Sequence, residues 1–151
     1  MNEELSELLS SLNSHHVRYL IVGAHALAFH GVSRFTEDVD FFVERNRENI
    51  ERLAEALRAF GIEMPPQAID DMSTKERGII FVGRKPNRAD FLNFVDGLQF
   101  ESADRSKVAG VLAGQPVSFL SLEDYAATKR ASGRPKDLSD LELLRSVHSN
   151  I

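Results

Sequence analysis

The chain has 151 residues, 42% hydrophobic and 27% charged, with a formal net charge of −5. That length suits one domain burying roughly 68–70% of its unfolded surface, and the net acidity argues against a sequence-blind nucleic-acid coat, which needs a basic surface. No apolar run reaches the length that spans a bilayer, and the lack of cysteine excludes a disulfide framework and a thiolate metal site. Met1-Asn2-Glu3-Glu4 has neither the basic start nor the apolar core of a secretory signal, so a cytoplasmic location is the expectation.

Leu5, Leu8, Leu9 and Leu12 recur at helical spacing, predicting an amphipathic helix over residues 3–14 with Glu3 and Glu4 in its first turn. Arg18-Tyr19-Leu20-Ile21-Val22 reads as a short buried strand ended by Gly23. Residues 24–30 are helix-prone and stop at Gly31. After a short turn comes a strand in which Val39, Phe41 and Val43 face one way, Asp38 and Asp40 the other. Asn46 caps the next helix, with Ile50, Leu53, Ala54 and Leu57 as its apolar stripe; Gly61 closes it and Pro65-Pro66 bars continuation. Residues 63–76 carry no structural pattern. Strands at 78–82 and 88–95 flank a turn-rich link at 83–87, predicting a hairpin. Residues 96–114 are ambiguous, and 116–120 reads as a short strand. Ser121-Leu122-Glu123-Asp124 opens a helix running to about Arg130. The last helix starts at Asp137 or Ser139, with Leu141, Leu144 and Val147 on one side. No internal repeat, low-complexity tract or linker divides the chain, so one domain covering residues 1–151 is expected.

The Asp-x-Asp pair carries the chemistry. Two carboxylates two positions apart on a strand share a face, with Cα atoms roughly 6–7 Å apart. They can converge on one divalent ion, or on two ions about 3.5–4 Å apart. Without cations such a pair repels. An isolated Asp-x-Asp reads better as a solvated strand face, but this one has company.

The order strand, Gly23-Ala24, short helix, Gly31, Arg34, Thr36, Asp38-Val39-Asp40 resembles the nucleotidyltransferase superfamily, the polymerase-beta-like fold shared by antibiotic nucleotidyltransferases and nucleotidyltransferase toxins. The resemblance implies an α/β (α+β) fold: a small mixed or antiparallel sheet flanked by helices, with a helical C-terminus. Val22-Gly23-Ala24-His25-Ala26 matches the family's Gly-Gly-x-Ala variant, and residues 34–40 match Arg-x-Thr-x-Asp-x-Asp. Asp90 is the candidate third carboxylate. The run Lys129 to Leu141 looks like the Lys-x₇-Asp-x-x-Asp ending of small bacterial members related to toxin-type enzymes.

What the resemblance implies is transfer of a nucleoside monophosphate from a nucleoside triphosphate (NTP) to a hydroxyl acceptor, which could be an RNA end, a protein side chain or a small molecule. A toxin–antitoxin or defence setting, with a protein partner, fits it. Asp38, Asp40 and Asp90 would hold Mg²⁺ or Mn²⁺, with Asp90 also taking the acceptor's proton. Gly23, Ala24, Arg34 and Thr36 would meet the nucleotide, Lys129 would neutralise the triphosphate, and Asp137 would orient Lys129. Where superfamily members carry serine or glycine, Ala24 offers phosphate only its backbone N–H.

Plain readings stand beside these. Asp90 reads equally as a solvated residue at a strand entry, Arg34 as a surface arginine, and Thr36 as a residue suited to β geometry. For Asp137, capping the last helix is the stronger reading. His25 and His30 miss the i, i+4 spacing of a helical metal pair and suit packing or helix-end roles. His15, His16 and His148 read as surface residues, and Arg84, Lys85 and Arg88 as a solvated basic turn. Two other functions compete with the enzyme: a nucleotidyltransferase-like module that binds nucleotide or partner without turnover, and a structural partner using the leucine-rich first and last helices.

Overall fold

The computed structural model describes residues 3–151. In chain order the elements are α1 (Glu3–Ser14), β1 (Tyr19–Val22), α2 (Gly23–Phe29), β2 (Asp38–Val43), α3 (Arg47–Ala59), α4 (Pro66–Thr74), β3 (Ile79–Val82), β4 (Arg88–Leu92), α5 (Phe100–Arg105), β5 (Val108–Leu112), β6 (Gln115–Phe119), α6 (Leu122–Ser132) and α7 (Pro135–Val147). The strands form one mixed sheet in the order β3-β4-β2-β1-β6-β5. β2 runs antiparallel to β1 and parallel to β4, so it is the strand on which both neighbours are registered.

Register fixes what shares a face, because directly paired residues point the same way. Val22 pairs with Asp40, and Asp40 with Asp90; Asp38 pairs with Arg88, and Phe81 with Asp90. Val22, Asp38, Asp40, Arg88, Asp90 and Phe81 therefore lie on one face. The opposite face is core: Tyr19 meets Phe41 edge-on at 5.5 Å and Phe41 stacks on Phe91 at 4.7 Å. The α1 leucines all belong to this core, so they offer no surface to a structural partner.

The expected alternation in β2 holds except at Phe42. That residue shares the face of the acids yet is buried, because Phe100 of α5 packs edge-on against it at 5.1 Å. α5 and β5 occupy the stretch 96–114 that sequence left ambiguous. β5 is an edge strand in which only Leu112 is buried, so no continuous buried face imposes a period on it.

Residues 66–74 are helical, where sequence offered no pattern. Pro66 takes the first helical position, where its missing N–H costs nothing. Only Met72 of this helix is fully covered, so there is no apolar stripe to read. Asn93 anchors it: its side-chain amide donates to the carbonyls of Met72 and Lys75 and accepts from Gly78 N–H at 2.7 Å. That commitment ends β4 at Leu92, three residues before the expected Val95.

The final helix begins at Pro135 rather than at Asp137 or Ser139, with proline again at its first position and Arg134 before it. Its buried face is Asp137, Asp140, Leu141 and Leu144, while Val147 is half exposed. Two aspartates thus stand where the apolar stripe was expected to continue. Caps at Asn46 and Ser121 are as read: each side chain accepts the backbone N–H three residues on, from Asn49 at 2.8 Å and Asp124 at 3.1 Å.

Candidate active site

Asp38 and Asp40 come from the start of β2 and Asp90 from the adjacent β4. Each contributes a carboxylate oxygen within 4.8 Å of the other two. Asp90 is only 6% exposed. Burial, with Asp90 and then Asp38 beside it, pushes the Asp40 carboxyl up to about 7. Negative charge is therefore under-compensated at this spot. The donor set, three hard carboxylate oxygens, fits Mg²⁺ or Mn²⁺ rather than a soft metal.

Gly23 ends β1 against this cluster. Its φ of +68° is a left-handed backbone, and a Cβ built there would overlap Asp40 Oδ2. Glycine is required twice over, by conformation and by space. Ala24 follows in α2 and lines the same cleft.

Arg88 was read as part of a solvated turn, and the structure corrects this. Its guanidinium forks onto Asp90, Nε to Oδ1 at 2.7 Å and a terminal nitrogen to Oδ2 at 3.0 Å, and reaches Asp38 Oδ2 at 3.0 Å. The ring of Phe81 lies under it, 4.5 Å from ring centre to guanidinium carbon. The clue was available: Arg88 stands two positions before Asp90 on a strand, hence on its face.

A second charged group comes from the C-terminal helices. Lys129 of α6 bridges Asp137 and Asp140, each at 3.2 Å. Asp137 also accepts from Arg134 Nε at 2.7 Å and Ser132 Oγ at 2.8 Å. These donors outweigh burial and hold its carboxyl well below the usual range. Asp137 therefore does not cap α7; it lies within the helix's first turn and ties α6 to α7. Burial pulls Lys129 down, but Tyr125 and the two aspartates outweigh it, so its ammonium is held charged. Asp140, for which sequence reading proposed no role, takes Arg34 at 2.6 Å. Arg34 is thus not a free surface residue. Thr36 donates to Asp38 O at 3.0 Å and accepts Asp38 N–H at 3.2 Å, bracing the turn into β2.

The two groups face one cleft of about 650 Å³, lined by Gly23, Ala24, Arg34, Thr36, the three acids, Lys129, Asp137 and Asp140 among others. No histidine among the described residues joins the cluster of Asp38, Asp40 and Asp90, although His25 lies near enough to feel the Asp38 charge. His30 Nε2 lies 2.7 Å from Leu120 O, a helix-end role as read. His148 is half-buried, against expectation, with Nε2 2.6 Å from His30 O. His25 is pushed down by burial.

Comparison with known proteins adds a family and a fold. Residues 1–150 match the family described as "Nucleotidyl transferase of unknown function (DUF2204)". No curated protein matches the sequence closely enough to count as a relative. Among solved structures, the chain is similar to that of ANT(2″)-Ia in complex with adenylyl-2″-tobramycin. The TM-score is 0.58 and identity 18%, covering 94% of this chain and 86% of that one. At that identity the likeness speaks to fold. No helix among the described residues is long and apolar enough to cross a membrane.

Proposed function

Because the chain belongs to this family of nucleotidyl transferases, we propose that it moves a nucleoside monophosphate from an NTP to a hydroxyl acceptor, using Mg²⁺ or Mn²⁺ held by Asp38, Asp40 and Asp90. The observation that carries this reading is the meeting of three carboxylates from β2 and β4 within 4.8 Å of one another, with Gly23 packed against Asp40. The metals, when bound, offset charge on the attacking and leaving oxygens.

The chain's own residues supply the rest. In this reading the acceptor's hydroxyl oxygen bonds to the α-phosphorus, the bond from that phosphorus to the bridging oxygen breaks, and pyrophosphate leaves. Asp90 takes the hydroxyl proton. Gly23 leaves room at Asp40 and, with Ala24, offers backbone N–H groups to the phosphates. Lys129, kept charged by Asp137 and Asp140, faces the triphosphate as a compact cation. Arg34 and Thr36 brace the segment leading into the Asp-x-Asp. The forked contact from Arg88 holds Asp90 and Asp38 in mutual register.

Incubating the purified chain with each labelled NTP, ATP first, Mg²⁺ or Mn²⁺, and total RNA, total protein or small hydroxyl compounds tests this. Label transfer that disappears in Asp38→Asn and Asp40→Asn supports it. Transfer that persists in both variants removes it.

A second reading, a nucleotide- or partner-binding module without turnover, draws on Ala24, which has no hydroxyl for phosphate, and on Arg88, which already engages two of the three acids. Nucleotide binding with no transfer to any acceptor would select it. A toxin–antitoxin or defence role rests on the tail's resemblance; growth arrest on expression, abolished by Asp40→Asn, is its test.

A further inference from the structure

We propose that Phe35 is a stacking platform for a nucleobase at the mouth of the cleft. The inference rests on the nucleotidyl-transfer reading and deepens it, because neither the acids nor Lys129 says how the base of a nucleotide is held.

Phe35 is 86% exposed, more than any other large apolar residue described. A single exposed apolar side chain is ordinary on a mobile turn. This one is pinned on both sides. Arg34 is tied to Asp140 of α7 at 2.6 Å, with Asp140 itself 2% exposed. Thr36 is hydrogen-bonded twice to the Asp38 backbone. Between two anchored neighbours, the ring is presented to solvent from a braced backbone. It has no ring partner among the described aromatics, whereas Phe29, Phe41, Phe42, Phe91, Phe100 and Phe119 all have one. Phe60, Phe81 and Phe94 likewise lack a ring partner, but Phe60 packs on the core and the other two lie under Arg88 and Arg77, whereas Phe35 has neither kind of cover.

Its position supplies the ligand. Phe35 lines the cleft that also contains the triad and Lys129. A flat apolar ring that adds nothing to the core, held beside phosphate- and metal-binding chemistry, suits the face of a planar heterocycle. Stacking of this kind tolerates any base, since every base has a π-face. Discrimination among bases is therefore not expected from Phe35.

The test measures binding to the full chain with Mg²⁺ by calorimetry. The probes are the four NTPs, inorganic tripolyphosphate and a short single-stranded RNA. Phe35→Ala should weaken all four NTPs about tenfold or more and leave tripolyphosphate unchanged. Phe35→Trp should retain NTP affinity and report it by fluorescence quenching, the chain having no other tryptophan. Loss of RNA binding with NTP binding intact would assign the stacked base to the acceptor and still support the platform. Equal weakening of tripolyphosphate and NTPs would overturn it, the ring then acting through the shape of the Arg34 turn. Unchanged binding of every probe would also overturn it. If wild type binds neither NTP nor RNA, the nucleotidyl-transfer reading fails with it; intact wild-type binding isolates the failure to Phe35. The melting temperature of Phe35→Ala should match wild type, given the exposure of the ring.

Discussion

Gly23 and Asp40 occupy each other's space: the glycine's missing side chain is where the Asp40 carboxylate lies, with Cγ 2.9 Å from an ideal Cβ. β1 and β2 are therefore drawn together at the one point where the Asp-x-Asp turns toward the cleft. Gly23→Ala should cost about 1–2 kcal/mol from the left-handed backbone alone and also expel Asp40 from its position. Unfolding melts and label transfer check this together. Activity should fall at least tenfold even at temperatures where the variant is folded; wild-type transfer by a folded variant would refute the coupling.

Arg88 acts as a built-in cation for the triad. Removing it leaves Asp90, only 6% exposed, with neighbouring carboxylates and no guanidinium. Arg88→Ala should lower the melting temperature, and more so in chelator than with Mn²⁺ present, because a bound ion can replace the lost charge. Arg88→Lys should recover only part, a point charge being unable to fork onto a carboxylate. Equal losses with and without metal would mean that Arg88 matters only for packing on Phe81.

Asp40 gives a pH signature with a definite sign. Its carboxyl is raised to about 7, from an ordinary value of 3.8, by burial and by Asp90 and Asp38. Between these two values the folded chain keeps a proton that the unfolded chain has released. Stability contributed by Asp40 is thus full below about 4 and is lost as pH rises through about 7. Denaturant titrations in chelator from pH 4.5 to 8 should show this decline in wild type and a flatter profile in Asp40→Asn. Divalent metal should offset the loss at high pH and release a proton on binding below pH 7. A flat wild-type profile would contradict the assignment.

Asp137 moves the opposite way. Its carboxyl is held low by Arg134, Ser132 and Lys129 in spite of burial, so its contribution is present above about 4 and fades as pH falls below that. Asp137→Asn should destabilise by about 3 kcal/mol at neutral pH, the low end for breaking a buried ion pair, since Arg134 still reaches water. It should also weaken tripolyphosphate binding if Asp137 orients Lys129. Calorimetry against tripolyphosphate separates the two effects: stability loss with unchanged binding would leave Asp137 purely a tie between α6 and α7.

Much was legible because local rules govern it. Leucine spacing in α1, the Asn46 and Ser121 caps, and the turn-rich link of the β3–β4 hairpin each depend on residues within one or two turns of one another. α4 escaped because its order comes from Asn93, some twenty residues away, and α7's start escaped because proline opens a helix as readily as it ends one.

By itself, then, the sequence determined which acids share a strand face and that Gly23 must follow β1, since alternation and φ preference are properties of the local chain. Only the tertiary structure decided that Asp90 lies beside Asp40, that Arg88 reaches across to Asp38, and that Asp140 anchors Arg34. Those are meetings of residues fifty or more positions apart, and parallel register between β2 and β4 is set by the packing of the whole sheet rather than by any neighbouring residue.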